Sequence, residues 1–309
     1  MIVSKINILL ISLIFGSLVL QDKQCFGESG EYAPEILKIG YSVKFLSNVG
    51  LADAQAALEL WVKELSRTSK LKMQPKPVIY EDLQAMANAI KNRKIDFIAI
   101  TSVDYLKIKD KVPLEAAFVG SSKKAGVGDE VVLLVRRDQR ITDIRQLEGK
   151  RLVVHTDTLL DSARLWLHAA IASEKWSHRK SFFHSEKEVK KVSQAVLSIF
   201  FRQADAALVS RGGFDAMVEL NPQIGKELTV LRKSDKLLDG IFCFQKNLRS
   251  DLKTEMSSVA LNMPTTQTGR QILTLFRISS IQPFVPQMLY STVALVNAHS
   301  NIHIKLADN

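Results

Sequence analysis

His155 and Asp157 are the residues of this chain best spaced to do chemistry together. They stand two apart at the end of the apolar run Leu152-Val-Val-His155. Residues i and i+2 of a strand share a face, so imidazole and carboxylate can meet. No nucleophile joins them at a spacing that would complete a set for acyl transfer. His299 and His303 are four apart, a spacing at which a helix can hold zinc, but they sit in a polar tail around Ser300-Asn301 and read as coincidence. Cys243, inside the apolar run Gly240-Ile-Phe-Cys-Phe-Gln245, reads as a buried structural thiol. Arg211-Gly212-Gly213 follows a strand-like run but lacks the lysine pattern of a phosphate loop. Arg211 reads instead as a ligand contact, because a residue just past Val209 lies at a strand's carboxyl end, where α/β sheets bind their ligands. No catalytic residue, metal site or cofactor site emerges. The chemistry on offer is that of binding.

These residues need elements to hold them, and the pattern supplies α/β layers. Short β-branched runs alternate with amphipathic stretches, as in folds built on largely parallel sheets. Strands are expected over 36–41, 77–80 and 95–101, with helices over 52–66 and from Asp82, which caps the buried stripe Leu83, Met86, Ala87 and Ile90. Ala56, Leu60 and Leu65 are expected to form the buried side of the 52–66 helix. A second set follows Gly120: strands 130–136, 151–155 and 206–209, a short helix over 142–147, and helices 161–172, 189–201 and 214–220. A strand at 241–245, helices 252–262 and 268–276, and a packing tail from Phe284 complete the chain. Trp61, Trp166 and Trp176 fall on or beside helices and read as packing residues. Two α/β units with crossings near Gly120 and Lys233-Ser234 predict two lobes, 28–120 with 235–309 and 121–234, flanking a hinged cleft.

The chain has 309 residues, 46% hydrophobic and 24% charged, which excludes a disordered or fibrous protein and suits two compact units. Its net charge is +10, yet the charges are scattered over what read as helical faces, such as Glu186 to Lys191. Basic and aromatic residues do not interleave as single-stranded nucleic acid requires, so no nucleic-acid partner is expected. The start has the form of a secretory signal over residues 1–27: Lys5, an apolar run from Ile6 to Leu20, and small residues around a cut after Gly27. An uncleaved anchor and lipid attachment at Cys25 are the other readings of this stretch. Each of them places the protein outside the cytoplasm. Cleavage would leave Cys243 alone, so no internal disulfide is expected.

Tyr80-Glu-Asp-Leu-Gln-Ala-Met-Ala-Asn-Ala-Ile-Lys-Asn-Arg-Lys-Ile-Asp96 resembles a helix-and-strand segment of periplasmic phosphonate-type binding proteins. So do Ile141 to Val154, with its Leu-x-Gly-Lys-Arg core, and Arg202-Gln-Ala-Asp-Ala-Ala-Leu-Val209. Thr266-Gln-Thr-Gly269 and Phe276-Arg-Ile278 are similar to the family's C-terminal helices. The likeness keeps its order from about residue 36 to about 286. It implies a two-lobed type II periplasmic binding fold, no enzymatic activity, and delivery of a small solute to an ABC-type importer by a monomer that closes over it. A ligand sensor serving a membrane receptor is the other implied role. In relatives that take phosphonates, a Ser-Thr-Ser-Gly-like turn offers hydroxyls and amides to the oxyanion. Here the turn reads Thr156-Asp157-Thr158-Leu159-Leu160-Asp161-Ser162. The family's Gly-Pro-x-x-Tyr turn reads Thr101-Ser102-Val103-Asp104-Tyr105. Asp104, Asp157 and Asp161 therefore bring an amine-bearing or zwitterionic ligand into consideration beside an oxyanion. The expected ligand-binding set is Tyr41, Ser42, Ser102, Asp104, Tyr105, Thr156, Asp157, Thr158, Ser162, Ser210 and Arg211.

Overall fold

The apolar runs form two mixed sheets. The computed structural model describes residues 35–47, 49, 51–68, 73–157, 159–174 and 182–307. The expected signal segment 1–27, Cys25, Thr158, Trp176 and His178 lie outside them. In chain order the first half contains β1 (Glu35–Ser42), α1 (Leu51–Thr68), β2 (Met73–Tyr80), α2 (Leu83–Lys91), β3 (Phe97–Thr101), α3 (Ser102–Ile108), β4 (Leu114–Ser122) and β5 (Gly126–Val127). There follow β6 (Asp129–Arg136), β7 (Arg151–His155), α4 (Leu160–Ser173), β8 (Ser185–Val189), α5 (Val192–Phe200), β9 (Ala206–Ser210), α6 (Arg211–Leu220), α7 (Pro222–Glu227) and β10 (Leu228–Leu237). The chain ends with β11 (Gly240–Gln245), α8 (Ser250–Asn262), α9 (Gln267–Leu275), β12 (Ser280–Pro283) and α10 (Tyr290–Ala307).

One sheet has the order β12-β4-β11-β3-β1-β2, with β5 paired to β4; the other runs β10-β6-β9-β7-β8. β1 is parallel to β2 and β3, and β7 is parallel to β8 and β9. The chain leaves the first sheet after Val127 and returns to it at Gly240. Both sheets are covered on two faces, so β3 and the center of β6 are buried throughout, as expected where helices pack above and below. Leu37, Ile39, Phe97, Ala99 and Phe244 meet α1, α8 and α9 on one face of the first sheet. Ile98, Ile100, Ile241 and Cys243 meet α2 and α3 on the other. Burial pushes the Cys243 thiol well above its ordinary pKa, which keeps it unreactive.

The face of α1 differs from the expected one. Ala56 and Leu60 are exposed, while Ala54, Ala57 and Trp61 are buried. The helix turns so that its largest apolar side chain stacks on Phe97, ring centroids 6.2 Å apart. Residues 185–189 form the edge strand β8, not a helical face. Its charges suit an edge, where they discourage pairing with another chain. The short helix expected over 142–147 is a 3₁₀ turn over Ile144–Leu147, capped by Asp143. The tail is the helix α10, which packs on α4 and brings the His299 and His168 rings to 5.8 Å. Among the described residues no helix is long and apolar enough to cross a membrane.

Candidate functional site

The carboxyl ends of parallel strands are where an α/β sheet exposes polar backbone and helix starts to a ligand. Here the ends of β1 and β3 face those of β7 and β9 across a cleft. Lys44, two residues past β1, spans it. Its Nζ donates to Asp161 Oδ2 in the first turn of α4 at 2.7 Å, and lies 3.6 Å from Asp104 Oδ2 on α3. Asp104 is almost fully buried and also pairs with Lys107 at 2.9 Å. Burial alone would lower the Lys44 ammonium, but the hydrogen bond to Asp161 and the charge of Asp104 carry its pKa above the usual value.

Three backbone amides at or beside helix starts of this cleft donate to the chain's own side chains. Asp157 Oδ1 accepts from Leu159 N at 2.9 Å, at the entry to α4. Asp129 Oδ2 accepts from Gly212 N at 2.9 Å, in the first turn of α6. Thr101 Oγ1 accepts from Asp104 N at 3.3 Å in α3. Two carboxylates and one hydroxyl thus take these amides, and the carboxylates repel an oxyanion as well.

A third carboxylate, Asp239, lies where the chain returns to the first sheet. Its backbone carbonyl accepts from Ser102 N at 3.1 Å, and its Oδ1 is buried with no hydrogen-bond partner. Burial first, then the charges of Asp157 and Asp129, push the Asp239 carboxyl up to about 7. Burial also raises Asp129, against the hydrogen bonds from Gly212 and Glu130 and with the charges of Asp157 and Asp215. His155 is buried with its Nδ1 3.2 Å from Asp157 Oδ2 but makes no hydrogen bond there. Buried polar atoms left without partners are costly, and in a cleft they mark where a ligand would supply the missing bond.

The expected residues divide in their surroundings. Ser102 donates through Oγ to the Leu238 carbonyl, and Thr156 Oγ1 to the Val189 carbonyl at 3.2 Å. Ser42, Ser162 and Ser210 sit at the ends of β1, α4 and β9, and among the described residues their hydroxyls find no partner. Arg211 is engaged by Glu130, Nε to Oε2 at 3.1 Å. Tyr105 is half-buried against the apolar cluster of Ile98, Ile100 and Cys243, and burial pushes its hydroxyl up to about 12. Tyr41 is buried in β1, burial raises its pKa strongly, and it lines a cavity in the first half of the molecule.

Three residues of the cleft were not among those expected. Lys44 lies in the turn after a strand, and its position two residues past β1 was the available signal. Asp129 and Asp239 stand at the two passages between sheets, which motif spacing alone does not mark. Among the described residues no three His, Cys, Asp or Glu side chains converge as the ligands of a metal ion do.

The sequence matches the family described as "ABC transporter, phosphonate, periplasmic substrate-binding protein" over residues 45–289. No curated protein matches it in sequence. Among solved structures it is similar to a binding protein component of an ABC phosphonate transporter from Pseudomonas aeruginosa, at 14% identity and a TM-score of 0.64, covering 89% of both chains. A Xanthomonas citri protein bound to ATP gives 12% identity and a TM-score of 0.63, over 87% of this chain and 98% of that one. PhnD1 of Prochlorococcus marinus in complex with methylphosphonate gives 14% identity and a TM-score of 0.59, over 85% and 97%. At these identities the likeness is one of fold: two lobes, a hinge and a cleft between them.

Proposed function

The chain belongs to the periplasmic substrate-binding family of ABC phosphonate transporters, a family of transport components and not of enzymes, and from that premise we propose that its own solute carries an ammonium group. The observation behind this reading is Asp239, whose Oδ1 is buried and unpaired and whose carboxyl feels the charges of Asp157 and Asp129. Asp104 and Asp161 add two more carboxylates beside Lys44. A bare oxyanion meets repulsion from these groups, and the Leu159 and Gly212 amides already donate to Asp157 and Asp129. An ammonium supplies the missing donor to Asp239 and relieves the repulsion among the acids. The hydroxyls of Ser42, Ser162 and Ser210, with Asp157, would complete the polar lining. Thr158, in the same turn, would join them.

The lobes of the proposal are 28–120 with 235–309, and 121–234, with the passages between sheets lying a few residues beyond these bounds, after Val127 and before Gly240. Closing selects the solute by contacts made in both lobes at once. The partner is the membrane permease of an ABC importer, met on its extracytoplasmic side after export by the segment 1–27. The protein works as a monomer without cofactor. A thermal-shift panel of polyamines, amino acids, phosphonates, phosphate and sulfonates tests the reading. Stabilization by amine-bearing solutes, which follows from mass action on the folded state, supports it. Stabilization by phosphonates or phosphate alone sinks it.

A further inference from the structure

Beneath the cleft, inside the first lobe, lies a cavity of about 100 Å³ that the polar residues above do not explain. Phe45, Phe97 and Phe242 wall it on one side, with Ala260, Ile272 and Phe276 among the residues opposite. Its aromatic wall is ordered by contact: Phe97 stacks on Phe242 at 6.0 Å, and Phe45 meets Phe242 edge-on at 5.2 Å. Apolar atoms placed in a cavity of this kind stabilize the surrounding core by burying apolar surface. Two polar residues share the lining. They are Tyr41, whose hydroxyl has no partner among the described residues, and Asp239, whose Oδ1 has none either.

The cavity also shares walls with the cleft. Tyr41 precedes the cleft residue Ser42, and Phe45 follows the bridging Lys44. A group bonded to Asp239 is therefore at the boundary of a polar cleft and an apolar chamber. We propose that this cavity is the specificity pocket for an apolar arm of the solute, so that the ligand is a small alkyl amine whose ammonium meets Asp239. The inference rests on the ammonium reading of the cleft and adds what that reading leaves open, the body of the ligand. Pockets of this build, apolar with a few convergent polar groups, are the usual form of small-molecule sites. The volume limits the arm to a short or branched alkyl group, since benzene takes a dry apolar cavity of about 150 Å³, larger than this one.

The experiment is a calorimetric series on the purified protein: methylamine, propylamine, 3-methylbutylamine and benzylamine, with 3-methylbutanol and an alkylphosphonate of the same carbon skeleton alongside. Affinity is expected to rise about three- to fourfold for each methylene buried, then level off when the cavity is full. Ala260→Leu, which fills the cavity, should abolish that dependence on chain length while leaving methylamine binding in place; its thermal midpoint checks that it folds. The series on the unaltered protein decides the matter even if the variant does not fold. Amines that bind equally well whatever their chain length overturn the pocket and leave the ammonium reading standing. Binding of the alkylphosphonate without any amine overturns both.

Discussion

Lys44 and Asp161 close the cleft with an ion pair of 2.7 Å between a turn of the first lobe and the first turn of α4 in the second. The pair places an ammonium of the protein where the proposed ligand would bring its own. Lys44 is then a competitor of the solute for Asp104 and Asp161, and not its anchor. Lys44→Met should tighten the binding of amines by up to about fivefold, since an ion pair this exposed is worth about 0–1 kcal/mol. Weaker amine binding in that variant, measured by calorimetry, would make Lys44 a ligand contact instead.

Asp157 offers a separation of charge from shape. An asparagine there can still accept from Leu159 N ahead of α4, so Asp157→Asn should melt within a few degrees of the unaltered protein. Its affinity for an amine should fall roughly 10- to 100-fold, the worth of a hydrogen bond to a charged group. Unchanged affinity would remove Asp157 from the site.

The raised Asp239 carboxyl makes stability depend on pH with a definite sign. An acid whose folded pKa lies above its unfolded value holds more protons when folded, so its protonated form stabilizes the fold at low pH. That stability is lost as pH rises from about 4 toward and through about 7. Asp239→Asn should therefore melt several degrees higher than the unaltered protein at pH 8, with the gap narrowing toward pH 4. A constant difference between the two melting curves over pH 4–8 would show that Asp239 does not titrate in this range. A saturating amine should hold Asp239 ionized and reduce the same slope.

The passage from the first lobe to the second depends on a glycine. Gly128 has φ +72°, and a Cβ there would lie 2.6 Å from the Leu237 carbonyl oxygen on the returning strand. Gly126 has nearly the same φ, +73°, with open space around it. Gly126→Ala should cost about 1 kcal/mol from backbone conformation alone. Gly128→Ala should cost about 1–3 kcal/mol more, because the contact adds strain that the facing strand must absorb. Equal urea midpoints for the two variants would mean the passages are not in close contact in solution.

Much of this fold could be read from pattern. β3, β7 and β9 announce themselves as apolar runs, and Asp82 caps α2 as its position suggests, accepting from Ala85 N at 2.7 Å. β8 and β10 were missed for one physical reason. Both are edge strands, and Ser-Glu-Lys-Glu-Val or Leu-Thr-Val-Leu-Arg-Lys carries the charge that edges tolerate instead of the alternation that buried strands need. In the cleft, Asp104 and Asp157 were legible because they sit beside strand ends. Asp129 and Asp239 were not, since only the passage of the chain between sheets sets them near Asp157. The phenylalanines of the cavity read as ordinary core, which most of them also are.

The account turns on the sign of the ligand's charge. The most direct measurement is a calorimetric titration at pH 7 with propylamine and, separately, with propylphosphonate, which share a carbon chain and differ in charge. The account predicts saturable binding of the amine and none of the phosphonate, with the amine's affinity roughly 10- to 100-fold lower in Asp157→Asn. Saturable binding of the phosphonate with no response to the amine would contradict it, and would return the cleft to an oxyanion held in spite of its carboxylates.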